Sequence, residues 1–334
     1  VASNKPKHEK TSGESTVLSY GFEIITGKAN PTLARNVAKI LDISPDEPIS
    51  SFSDSERRIV LSKELRRKHA VIIQSLSGNN VNDRIIELLG MIDAAKRESA
   101  DEITIVMPYM AYQRQERRVQ DGEPIMASLL PNLLVTAGAD RIVTIDLHAE
   151  ATIGSVNVPW INLYASDVLV PAIKEYFGNT SKVVVQTPDK GGFNRAIKYA
   201  EFFGTKHIAS AYKQRDIDLA GKSKALFMIG DVKNKTVIMP DDVLASGGTL
   251  VDASNLAKSK GANRIVAAIA HGQFLDNAIE KIEKSFIEKI FVTDSIKIKN
   301  KVRNHPKVEV VPVDKLLAEA IYQIHTGCCY QESK

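Results

Sequence analysis

The densest chemistry in this sequence lies in Asp241-Asp242-Val243-Leu244-Ala245-Ser246-Gly247-Gly248-Thr249. Two adjacent carboxylates suit the hydroxyls of a ribose or a Mg2+ ion. Gly247 and Gly248 let backbone N–H groups approach a phosphate closely, and the start of a helix favours its negative charge. Ser246 and Thr249 add hydroxyl donors. The segment follows an apolar run, Thr236–Met239, and precedes a helical pattern. It therefore stands at the carboxyl end of a strand, where open α/β sheets bind their ligands. It is neither a Walker A loop nor a dinucleotide GxGxxG loop. A plain strand-to-helix turn also favours Asp and Gly, but it does not ask for two acids followed three residues later by Ser-Gly-Gly-Thr.

Four weaker segments share the pattern of polar residues after an apolar run. Asp146-Leu147-His148-Ala149 offers His148 as a metal or phosphate ligand, although a lone histidine there is more often structural. Thr187-Pro188-Asp189-Lys190-Gly191-Gly192 sets Asp189 beside two glycines at a helix start, a corner suited to a metal or a nucleotide. Pro108–Arg118 mixes Tyr109 and Tyr112 with Arg114, Gln115, Arg117 and Arg118, as a base and its phosphates would require. A solvated basic loop has the same composition. Lys213-Gln214-Arg215 places two cations one residue apart on a loop, where they can clamp a transferring phosphoryl group or simply decorate the surface.

The elements that hold these segments follow from periodicity. Phe22–Ile25, Ala70–Gln74, Glu102–Met107 and Arg141–Ile145 read as buried strands. Asn30-Pro31 supplies a cap and a first helical residue for a helix carrying Leu33, Ala34, Val37 and Ile40-Leu41. Ile85, Leu88-Leu89 and Ile92 mark a second helix, and Met126–Ala137 a third that Gly138 closes. The pattern then restarts. Lys182–Gln186, His207–Ala211, Thr236–Met239, Arg264–Ile269 and Lys289–Val292 read as strands, and residues near 166–177, 191–203, 248–259 and 276–285 as helices. Strands alternating with helices predict an α/β fold of mainly parallel sheets flanked by helices. Two rounds predict two similar domains.

The length of 334 residues agrees with two domains. A chain that is 43% hydrophobic and 25% charged is an ordinary globular protein rather than a disordered one. No apolar run is long enough to span a membrane. A net charge of +4 is too small to indicate a dedicated nucleic-acid binder, yet it leaves room for a small anionic ligand. Cys328 and Cys329 form neither a disulfide framework nor a zinc motif, so a reducing, cytoplasmic setting is expected. Residues 1–20 are polar, lack the apolar core of a secretory signal and are expected to be a disordered tail.

Taken together and in this order, the five segments resemble ribose-phosphate diphosphokinase, the phosphoribosyl pyrophosphate (PRPP) synthetase family. The resemblance runs from about Phe22 to about Gly327. It also takes in Gly27–Pro31, Phe52-Ser53-Asp54-Ser55-Glu56, Asn82-Asp83, Asn162-Leu163-Tyr164-Ala165, His271-Gly272 and Leu317–Ile321. It implies two type I phosphoribosyltransferase-like domains: residues 21–166 on the ATP side, joined by a C-terminal helix near 314–327, and residues 167–313 on the ribose 5-phosphate side. The implied reaction transfers the diphosphoryl group of MgATP to the 1-hydroxyl of ribose 5-phosphate, giving PRPP and AMP for nucleotide biosynthesis.

The resemblance assigns roles residue by residue. Ser246, Gly247, Gly248 and Thr249 would hold the 5-phosphate. Asp241 and Asp242 would bind the ribose hydroxyls, and Asp189 the sugar phosphate or a metal. His148 would meet MgATP, so His148 and Asp189 are the expected Mg2+ ligands. Lys213 and Arg215 would be the catalytic cations. Arg114 and Gln115 would contact ATP, and Phe52, Asp54 and Glu56 would reach the adenine from a neighbouring subunit. A homo-oligomer built from dimers, up to a hexamer, is therefore expected, with no nucleic-acid or membrane partner.

Several positions depart from the family pattern. Ala245 and Ser246 stand where the usual loop has aspartate and threonine, a form nearer to adenine phosphoribosyltransferase and to some archaeal and plant diphosphokinases. Pro240 replaces an aliphatic residue, Asp54 an asparagine, and Val119 and Gly122 an aspartate and an arginine. Glu150, Ala151 and Ile153 replace the polar residues of the family's phosphate-activated class, and Cys328 and Cys329 replace serines. An anionic Glu150 and an apolar Ile153 bind phosphate poorly. Independence from inorganic phosphate, with little allosteric inhibition by ADP, is expected. Two other functions fit parts of the sequence. A catalytically weak synthetase-associated regulatory subunit would share the fold, but Lys213, Arg215, His148, Asp189 and the Asp241-Asp242 pair are all present. A base-specific phosphoribosyltransferase would share the Asp241–Thr249 loop, but would have no use for residues 22–165.

Overall fold

The computed structural model describes residues 21–178, 182–215 and 224–326. The predicted tail and Cys328-Cys329 lie outside the described residues. The first half contains strands β1 (Phe22–Thr26), β2 (Ile49–Ser51), β3 (Arg57–Ile59), β4 (His69–Ile73), β5 (Glu102–Met107), β6 (Arg141–Ile145) and β7 (Trp160–Leu163). Its helices are α1 (Pro31–Ile40), α2 (Val81–Arg97) and α3 (Met126–Ala137). The second half begins with α4 (Ser166–Phe177), β8 (Val183–Thr187), α5 (Phe193–Phe202), β9 (Ile208–Arg215), β10 (Lys224–Ile229) and β11 (Thr236–Leu244). It continues through α6 (Gly248–Ser259), β12 (Arg264–Gly272), α7 (Ala278–Glu283), β13 (Lys289–Thr293), α8 (Asn300–Arg303), β14 (Val308–Val311) and α9 (Asp314–Thr326).

Two main sheets result. The first is wholly parallel, in the order β1-β4-β5-β6-β7, with Ile25 beside Ile72 and Ile72 beside Ile105. The second has the order β10-β9-β8-β11-β12-β13-β14 and is parallel except where β10 turns back along β9. A separate two-stranded hairpin, β2-β3, stands off the first half.

Period-two alternation divides each strand between two cores. Phe22, Ile24, Val71 and Ile73 face one side of the first sheet, and Ile25, Ala70 and Ile72 the other. The inner faces of both sheets share one apolar cluster with α1, α4, α5 and α9. Helices α2 and α3 cover the outer face of the first sheet, and α6 and α7 that of the second. Burial on both faces explains why these strands read as continuous apolar runs. The last helix, α9, crosses back to lie against α1.

Asn30 does not act as the expected cap. Its side chain makes no cap hydrogen bond, and Nδ2 donates instead to the carbonyl of Asp294, 2.7 Å away in the second half. Pro31 does open the helix. No helix among the described residues is long and apolar enough to cross a membrane.

Candidate active site

In the second sheet the strand order reverses between β8 and β11. The helix after β8 and the helix after β11 therefore leave on opposite faces, and a crevice opens between them. Asp189 follows β8, and Asp241 and Asp242 occupy the end of β11. The acidic pair was expected after the strand, but β11 continues through it to Leu244. A cleft of about 210 Å³ lies here, lined by Asp189, Asp241, Asp242, Ser246, Gly247, Gly248 and Thr249 together with Arg114 and His148 from the first half.

Local geometry builds each wall. Gly247 sits at the N-terminus of α6 with φ of 74°, the left-handed region that glycine enters without strain. The helix thus starts at once, and its first N–H groups face an open loop. Asp189 turns back on its own chain, its Oδ1 accepting from the N–H of Gly191 at 2.8 Å and of Gly192 at 3.2 Å. Asp242 and Asp241 are tied to their own backbone: the N–H of Asp242 donates to Asp241 Oδ1, and that of Val243 to Asp242 Oδ1.

One short contact joins the two halves across the cleft. His148 Nδ1 lies 2.5 Å from Asp242 Oδ2. The His148 backbone N–H donates to Gln113 Oε1 at 2.8 Å, which holds the loop after β6 in place. The hydrogen bond to Asp242 raises the imidazole pKa despite its partial burial. Burial opposes the charge on Asp242, yet the bond from His148 and the charge of Arg195 hold its carboxyl well below the usual range. Asp241 is moved the other way: burial and the neighbouring Asp242 charge push it up to about 8. Two adjacent acids thus differ in charge because only Asp242 has the His148 imidazole in hydrogen-bond contact.

The structure also gives a place to residues for which motif reading assigned no role, two of them, Asp146 and His271, inside the quoted motifs. Arg195, on α5, lies 3.7 Å from Asp241 Oδ1 and 3.5 Å from Asp242 Oδ2. Asp146, buried at the end of β6 with φ of 41°, has its carboxyl pushed up to about 6 by burial. Behind them His271 Nε2 lies 3.0 Å from the Ile145 carbonyl, and Gln273 Nε2 donates to Tyr109 Oη at 2.9 Å. These bonds stitch the carboxyl ends of the two sheets together. A lone arginine in a helix, or a lone glutamine after a strand, carries no spacing signal from which such roles could be read.

Not every expected residue converges. Gln115, next to Arg114, is exposed and does not line the cleft. Phe52, Asp54 and Glu56 occupy the exposed tip of the β2-β3 hairpin, away from the cleft of their own chain. Lys213 and Arg215 were expected on a loop, but their backbone belongs to β9, with Lys213 opposite Leu226 and Arg215 opposite Lys224. The strand extends because β10 pairs with it to the end. Their side chains lie outside the description.

Comparison with known proteins shows the family. Residues 22–138 match a family model described as the N-terminal domain of ribose phosphate pyrophosphokinase, and residues 206–332 one described as a phosphoribosyl synthetase-associated domain. The chain is 38% identical over 304 residues to the ribose-phosphate pyrophosphokinase of Hyphomonas neptunium, covering 91% of this chain and 96% of that protein. It is 35% identical to ribose-phosphate pyrophosphokinase A of Dictyostelium discoideum, covering 92% and 95%. The crystal structure of phosphoribosylpyrophosphate synthetase from Mycobacterium smegmatis superposes with a TM-score of 0.86 at 32% identity, covering 92% of this chain and 99% of that one. Similarity at this level over nearly the full length of both partners, on the same two-sheet frame, leaves one assignment: the chain belongs to the ribose-phosphate pyrophosphokinase family.

Proposed function

We propose that the protein is a ribose-phosphate diphosphokinase, which moves the diphosphoryl group of MgATP to the 1-hydroxyl of ribose 5-phosphate and releases PRPP and AMP. The observation that carries this reading is the single cleft in which an anion loop and three carboxylates from one half meet Arg114 and His148 from the other. A phosphoribosyltransferase acting alone has no need of the second wall. The regulatory-subunit alternative loses ground because the relatives that match over the full length are named as pyrophosphokinases.

The sugar phosphate sits in the Ser246–Thr249 loop, where helix N–H groups and two hydroxyls donate to it. Asp241 and Asp242 accept from the ribose hydroxyls and fix the ring. The 1-hydroxyl is then aimed across the cleft towards the first half, where Arg114 and His148 meet the ATP phosphates. Reaction requires in-line approach of hydroxyl and β-phosphorus and neutralisation of the moving charge, which is mainly positioning. Lys213 and Arg215 on the β9–β10 hairpin supply that neutralisation.

Among the described residues no three His, Cys, Asp or Glu side chains cluster as a metal cage. Mg2+ does not need one, because it binds through one or two carboxylates and the substrate's own phosphates. Asp189 fits, since among the described residues the hydrogen bonds to its carboxylate fall on Oδ1. His148, oriented by Asp242, would complete the site. When bound, the ion draws charge from the ATP phosphates and holds them in register. Phe52, Asp54 and Glu56 serve a neighbouring copy, which makes the enzyme a dimer-based oligomer, with residues 21–166 plus α9 as the ATP-side domain and 167–313 as the sugar-side domain. The setting is cytoplasmic. Incubation with MgATP and ribose 5-phosphate tests the reading: AMP and PRPP should appear in equal amounts. No AMP across a range of Mg2+ and phosphate concentrations would leave only the binding role.

A further inference from the structure

Adjacent carboxylates can grip two sugar hydroxyls only if both are held at a fixed spacing. Free rotation of either side chain works against that. Among the described residues, Arg195 is the one lysine or arginine within ion-pair reach of either acid, and it reaches both, Nη1 to Asp241 and Nη2 to Asp242. Its side chain is only 19% exposed. It does not line the sugar cleft but the hollow behind it, beside Asp146, Asn162 and Tyr199. The guanidinium therefore stands at the back of the acidic pair and leaves their front to a ligand.

The chain is shaped to bring it there. Arg195 is the third residue of α5, which begins directly after Gly192. A Cβ at Gly192 would come within 2.6 Å of Thr187 Oγ1. Only glycine lets the helix start this close to the end of β8, and that brings Arg195 against β11. Burial works against the charge on Arg195, but Asp242, Asp146 and Asp241 together outweigh it.

We propose that Arg195 is a positioning residue for the sugar site: its planar guanidinium spans the Asp241 and Asp242 carboxylates and sets the orientation in which they accept the 2- and 3-hydroxyls of ribose 5-phosphate. The inference rests on the diphosphokinase reading for the identity of the sugar. Shape as well as charge is required, because a lysine ammonium is a point charge that cannot bridge two carboxylates in one plane.

The test compares Arg195→Gln and Arg195→Lys with the unmodified full chain, by AMP release under varied ribose 5-phosphate and varied MgATP, and by calorimetric titration with ribose 5-phosphate. Arg195→Gln should raise the KM for ribose 5-phosphate about ten- to a hundredfold, as loss of a partly buried charge partner does, with the KM for MgATP within about twofold. Arg195→Lys should fall between, at about three- to tenfold. A general structural defect would instead move both KM values together. The proposal is overturned if folded Arg195→Gln keeps the original ribose 5-phosphate KM, or if both KM values rise equally. Should Arg195→Gln not fold, Arg195→Lys decides, and a wild-type ribose 5-phosphate KM in that variant overturns the spanning role. An unmodified chain that binds no ribose 5-phosphate refutes the diphosphokinase reading itself, whereas tight binding equally shared by Arg195→Gln refutes only the role of Arg195.

Discussion

His271 offers a quantitative test of how the two halves are joined. Its ring is fully buried, with Nδ1 2.8 Å from Ser295 Oγ and Nε2 3.0 Å from the Ile145 carbonyl. Its edge meets the Tyr109 ring at a centroid distance of 5.0 Å. A carbonyl only accepts, so Nε2 carries the proton and Nδ1 is left to accept from the serine hydroxyl. Burial holds the folded pKa at about 4, below the ordinary 6.5. The sign follows. The neutral ring's contribution is complete above pH 6.5 and is lost as pH falls towards 4, because the unfolded chain binds the proton more readily. The loss is about 2 kcal/mol at about pH 5 and about 3 kcal/mol once both states are protonated. His271→Gln keeps an amide N–H for the Ile145 carbonyl and removes the titration. At about pH 7.5 it should be less stable by about 1–2 kcal/mol, from lost ring packing and the serine bond. Urea unfolding of both proteins should show that gap closing by about 2 kcal/mol on going to about pH 5. His69, also drawn to about 4 by burial, is common to both proteins and cancels. A gap that stays constant with pH would refute a neutral, buried His271.

Three further outcomes are expected. Gly247→Ala should cost about 1–2 kcal/mol, seen as a lower Tm, and should raise the ribose 5-phosphate KM; Gly247→Asn should cost less, because the strain lies in the positive φ and the nearest atoms to a new Cβ are 3.9 Å away. Lys213→Ala should lower kcat at least about a hundredfold with an unchanged circular dichroism spectrum, and near-normal turnover would show that the catalytic cation is elsewhere. Inorganic phosphate should not activate the enzyme in an AMP-release assay, since Glu150 places a carboxylate, bonded by Tyr164 Oη at 2.7 Å, in the hollow behind the site; strong activation would overturn that expectation.

What the sequence discloses depends on how locally a feature is encoded. Helices α3, α4 and α6 begin and end at the expected residues because periodicity and glycine punctuation act within a few residues. The Asp241–Thr249 loop was legible for the same reason. β10 and β14 escaped: they are the two edge strands of the second sheet, paired on one side only. β11 was read too short, because two acids look like a loop until a parallel partner holds the strand in register, Asp241 beside Ile269 and Val243 beside His271. Asn30 looked like a cap because its type and position suit one, yet the Asp294 carbonyl from the other half takes its side chain. Arg195 was invisible, since its meaning is its distance from residues about fifty positions away.

The return of α9 to α1 has a consequence for biosynthesis. Leu33, Ala34 and Val37 of α1 share their core with Leu316, Leu317, Ala320 and Ile321. A chain made from its N-terminus at about 5–20 residues per second exposes that apolar face on α1 for tens of seconds before α9 is translated. The first half is thus finished last, after the ribosome has already delivered the whole second sheet. Truncation near the C-terminus should therefore damage the earliest part of the protein, by leaving the apolar face of α1 uncovered.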